Sequence, residues 1–86
     1  MVNTKLGFLA LVTLVPTVAL AQLNVGDAVG TGDAEIRAKL ESAGYTVEEI
    51  ERNNGEIEVE AMLNGKEYEL ELSAEGNIRE IELEDD

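Results

Sequence analysis

Polar and apolar residues alternate from Glu56 to Ser73, EIEVEAMLNGKEYELELS, on both sides of Asn64-Gly65. Strict alternation is the period of a strand with one buried face. Asn-Gly suits a two-residue hairpin turn because both residues tolerate positive φ. Folded about that turn, Leu63 meets Lys66, Ala61 meets Tyr68, Val59 meets Leu70 and Ile57 meets Leu72 on one face. The other face sets Met62 against Glu67, Glu60 against Glu69 and Glu58 against Glu71.

The pattern extends in both directions. A strand is expected from about Tyr45 to Arg52, where Val47 and Ile50 stand three apart and alternation fails. A bulge or a late strand start near Glu48-Glu49 explains the break. Centring the next turn on Asn54-Gly55 pairs Ile50 with Val59 and Arg52 with Ile57, whereas a one-residue slip would set Ile50 against Glu58. The last strand, Asn77 to about Glu84, follows the turn Ala74-Glu75-Gly76-Asn77. A four-residue loop pairs Leu70 with Ile81 and Tyr68 with Leu83, and leaves Ile78 on the glutamate side. A three-residue loop with Gly76 left-handed puts Ile78 opposite Leu72 instead. The first register is adopted for the strand body.

Ahead of the strands, Ile36, Leu40 and Ala43 form one apolar stripe at helical spacing, so a helix is expected over about 33–43. Asp33, or Thr31 if the first turn starts earlier, can cap it, and Glu35 lies near the positive end of its dipole. Gly44 is the left-handed stop, and Tyr45 folds back onto Leu40. Gln22 to Gly32 has three glycines and no periodicity and reads as a flexible leader. The expected fold class is α+β: one N-terminal helix packed on one face of a four-stranded antiparallel β-meander. Its apolar face comprises Ile50, Ile57, Val59, Ala61, Leu63, Tyr68, Leu70, Leu72, Ile81 and Leu83.

The first 21 residues read differently. Lys5 precedes a ten-residue apolar run, Leu6 to Val15, and Pro16 leads to Ala19-Leu20-Ala21, the small-x-small pattern of a signal-peptidase site. Even extended to Ala21 the run is sixteen residues with a proline, short of the roughly 20 that span a bilayer. The expected organisation is a signal peptide over 1–21 cleaved after Ala21, a leader over 22–32 and one domain over 33–86. That places the mature chain in the periplasm or outside the cell, with no membrane attachment after cleavage. The chain has no cysteine, which removes disulfides, thiol chemistry and zinc frameworks and leaves a small domain to stand on its apolar core.

Charge narrows the partners. The cleaved chain keeps five basic residues against nineteen acidic ones, a net of −14. Nucleic acid and anionic membrane surfaces are excluded by sign. Two glutamate rows follow from the registers: Glu51, Glu58, Glu71 and Glu80, then Glu49, Glu60, Glu69 and Glu82, with Glu67 and Glu84 beyond. Three readings of this face are open: solvated carboxylates that keep the sheet soluble, a contact for a basic protein surface such as a peptidase, and weak Ca²⁺ or Mg²⁺ binding. The carboxylate spacings match no shaped calcium loop. Val47 and Met62 are expected to pair on the same face as a small apolar patch. Catalysis is not expected: the chain has no histidine or cysteine, and no cleft is foreseen to raise a carboxyl for acid–base work. No cofactor is implied.

One set of residues resembles a known family. Glu35-Ile36 and Leu40, Gly44-Tyr45-Thr46-Val47 and Ile50, Gly55 to Ala61, Gly65 to Leu70, and Gly76-Asn77-Ile78 together resemble a PepSY domain over roughly 33–82. The chain departs from the pattern at Ser73, where the family usually opens the last turn with aspartate, and at Ile57, where an aromatic is common. The resemblance implies an extracytoplasmic module acting on peptidases as regulator or inhibitor. It brings no catalytic residues.

Overall fold

The computed structural model of the protein describes residues 22–84. The expected signal peptide and cleavage point lie outside the described residues. One helix, α1 (Asp33–Ser42), is followed by β1 (Thr46–Asn53), β2 (Glu56–Leu63), β3 (Lys66–Leu72) and β4 (Ile78–Leu83). The strands form one antiparallel sheet in sequence order. The α+β class and the meander are therefore found. The helix, however, lies inside the chain and not at its N-terminus, because an extended segment precedes it.

Two Asn-Gly turns set the sheet's registers. Asn54 and Gly55 have φ of 50° and 80°, and Asn64 and Gly65 have 53° and 79°. Positive φ at both central positions gives a turn whose twist matches that of the flanking strands. Ile50 accordingly faces Val59, and Val59 faces Leu70.

Two bulges change which side chains reach the core. The β1–β2 register shifts between Val47 and Glu49, so Val47 faces Ala61 and is buried, while Met62 faces Thr46. The expected Val47–Met62 patch on the glutamate face is thereby corrected: the extra residue, Glu48, rotates Val47 inward. A second shift between Glu71 and Leu72 sets Ile78 opposite Leu72 while Ile81 still faces Leu70. Ile78 is buried, not turned to the glutamate side, because Arg79 absorbs the extra position. At the far end of β4, Leu83 is 48% exposed and lies outside the core it was assigned to.

The helix starts and ends by local hydrogen bonding. Its N-cap is Gly32 in place of Asp33 or Thr31. Glu35 Oε1 accepts the amides of Thr31 and Gly32, both at 3.2 Å, and so satisfies two free donors. Asp33 is free for Arg52, whose guanidinium lies 2.8 Å from the carboxylate and donates to the Thr31 carbonyl at 2.6 Å. At the other end the Tyr45 amide donates to Leu40 O and the Gly44 amide to Glu41 O, both at 3.0 Å, with Gly44 at φ 96°. This left-handed stop carries the chain into β1 as expected.

The segment expected as a flexible leader over 22–32 is anchored to the domain through Leu23 and Val29. Leu23 and Val29 are buried with Ile36, Leu40, Tyr45 and Ile78 in one core. Ala28 bridges Asn77, and the Val29 and Gly30 amides donate to Gly76 O at 2.7 and 3.2 Å. Gly76 permits a close approach: a Cβ there would fall on the Gly30 carbonyl. No helix among the described residues is long and apolar enough to cross a membrane.

Candidate functional site

Side chains alternate across a strand, so the residues that leave the core to Val59, Ala61, Leu70 and Leu72 send their glutamate neighbours to the opposite face. The observed pairs are Glu49–Glu60–Glu69–Glu82 and Glu51–Glu58–Glu71–Glu80, two rows of four across the sheet. These eight candidate residues are brought together as expected. The helix packs against β1 from the core side, which leaves the glutamate face open.

The rows perturb one another. Partial burial, then a hydrogen bond with the Glu84 carboxyl and the charges of Glu58, Glu84 and Glu82, pushes Glu69 up to about 7. Glu49 is raised by the charge of Glu51, a hydrogen bond with it, and Glu60. Glu67 is raised first by the charge of Glu48, then by burial, by a hydrogen bond with Glu48 and by Glu84 and Glu60. A proton shared between neighbouring carboxylates relieves their repulsion. Glu58, Glu69, Glu71, Glu80 and Glu82 line a shallow depression of about 170 Å³ at the centre of this surface.

Two residues modify the expected site. Glu48, the bulge residue, joins the glutamate face beside Glu67; the Val47–Ile50 spacing signalled the bulge but not its direction. Met62 keeps its place on the face, half-buried between Thr46 and Glu67. Two cation–carboxylate pairs, Arg52–Asp33 and Arg79–Glu56, involve none of the eight candidates.

The face can do little chemistry by itself. Among the described residues no three carboxylates converge as a metal site, since strand spacing holds the rows apart. A strip of anionic oxygens on a rigid sheet is suited to meeting cationic side chains.

No curated protein and no solved structure matches the chain. A family model described as peptidase propeptide and YPEB domain matches residues 5–82, nearly the whole length. The helix with its Gly44-Tyr45 exit and the turn-separated strands that follow are thus those of a PepSY domain, and the chain belongs to that family.

Proposed function

We propose that this protein is an exported, non-catalytic PepSY module that binds a protein partner, a peptidase with a basic surface, through its glutamate face. The observation that carries the reading is the pairing of eight glutamates in two rows with Glu69 pushed up to about 7. Such a face is destabilising alone and is relieved by cationic side chains placed against it. The family supports the kind of partner, since its description couples peptidase propeptides with this domain. Export rests on the apolar run and small-x-small site ahead of Gln22.

The test is affinity capture from envelope extract with the protein as bait. A peptidase held by the native protein and lost when Glu58, Glu60, Glu69 and Glu71 are changed to Gln supports the reading. Capture unchanged by those substitutions removes the glutamate face from it.

A further inference from the structure

Strand β4 ends the sheet, and residues 26–30 cover only its beginning. The Gly26 amide donates to Ile78 O at 2.7 Å and the Ile78 amide to Asp27 O at 2.9 Å. The segment then leaves the edge through a turn in which the Asp27 amide donates to Asn24 O at 3.0 Å. Beyond it, Arg79 to Leu83 form an edge with no further strand among the described residues. The Glu84 amide donates inward to Glu67 O at 2.8 Å. By the alternation of an antiparallel ladder, Glu80 and Glu82 also turn their backbone groups toward β3, and Ile81 and Leu83 turn theirs outward.

Apolar surface gathers on the core side of this edge. A groove of about 520 Å³ is lined by Leu23, Val25, Tyr45, Leu63, Tyr68 and Ile81, among others. Val25 and Leu83, the large hydrophobics most exposed among the described residues at 62% and 48%, lie in the groove and opposite Tyr68 respectively. The helix leans on β1 and leaves this end of the core face uncovered. On the other side of the same edge stand Glu80 and Glu82.

We infer that the β4 edge from Arg79 to Leu83 takes an extended segment of a partner protein in which apolar and basic residues alternate. Added as a fifth strand, the segment bonds to the outward amides and carbonyls of Ile81 and Leu83. Its apolar side chains enter the groove, and its basic ones stand about 5 Å from Glu80 and Glu82. A second copy of this chain fits poorly, because antiparallel β4 against β4 opposes the glutamates of both copies at a net charge of −13 each. The edge shares Glu80 and Glu82 with the open glutamate face but requires neither Glu58 nor Glu60.

The probe is an end-capped heptapeptide alternating lysine and valine, titrated against the protein while backbone amide resonances are followed. The resonances of Val25, Ile81 and Leu83 are expected to move. A peptide of the same composition with lysines and valines in separate blocks is expected to bind at least about tenfold more weakly, equivalent to about 1.4 kcal/mol. N-methylating the two peptide amides that face β4 is expected to weaken binding by a similar factor, since two hydrogen bonds are lost. Leu83→Ser is expected to weaken binding several-fold with the melting temperature unchanged, and Glu60→Gln with Glu69→Gln to leave the Val25 and Leu83 shifts in place. Equal binding of the blocked or N-methylated peptide would overturn the inference. So would shifts confined to Glu58, Glu60 and Glu69, which would leave the glutamate-face reading standing, or self-association through β4.

Discussion

Glu60 and Glu69 stand directly opposite each other across β2 and β3, with Glu49 beyond the first and Glu82 beyond the second. Within this row Glu69 is pushed from its ordinary 4.5 up to about 7 through partial burial and its neighbours Glu84, Glu58 and Glu82, and Glu49 is raised by the charges of Glu51 and Glu60. The native protein therefore holds more protons than the unfolded chain between those values, and stability falls as pH rises through the window. Lowering the pH from about 7 to about 5 is expected to raise the melting temperature by a few degrees. Glu69→Gln should raise it at neutral pH and flatten the profile. A melting temperature that falls over this range would contradict the paired-glutamate geometry.

Added salt screens the same repulsion. Calcium at constant ionic strength is expected to raise the melting temperature no more than sodium does, since no three carboxylates among the described residues converge on one point. A saturable calcium-specific rise would instead show cation binding on the face.

Gly76→Ala is expected to destabilise the domain by about 2 kcal/mol or more, as read from the midpoint of urea unfolding. Its φ is 88°, and the new methyl carbon would fall on the Gly30 carbonyl. Gly65→Ala provides the contrast. Its φ is 79° but it faces open space, so only the left-handed backbone is strained, at about 1 kcal/mol.

The segment ahead of the helix can be tested as part of the core. Leu23 is 7% exposed, and Leu23→Ala is expected to cost about 2 kcal/mol. Val25, two residues on and 62% exposed, should change stability by less than about 0.5 kcal/mol when made alanine. Equal effects at the two positions would mean that the segment does not pack as described.

What was legible in the sequence follows from which signals were local. Asn54-Gly55 and Asn64-Gly65 select their turn geometry unaided, and period-two alternation then places all eight glutamates on one face. Val47 and Ile78 were misplaced because each lies one residue beyond a bulge. Spacing announces a bulge, but tertiary packing decides which residue it turns inward. Gly26, Gly30 and Gly32 read as flexibility, yet a Cβ on Gly30 would meet the Glu35 side chain, and the turn residue Gly76 is glycine because the Gly30 backbone meets it there. Gly32 is the cap, with Glu35 accepting its amide, while Asp33 pairs with Arg52, 19 residues away in sequence, a contact no local pattern encodes.

The central claim is that the glutamates act by position and not by total charge. Glu58→Gln with Glu60→Gln, on the face, and Glu41→Gln with Glu75→Gln, off it, each remove two carboxylates. The measurement is the amount of peptidase each captures from envelope extract at one ionic strength. Loss with the first pair and retention with the second is the expected result. Equal capture by both would contradict the claim.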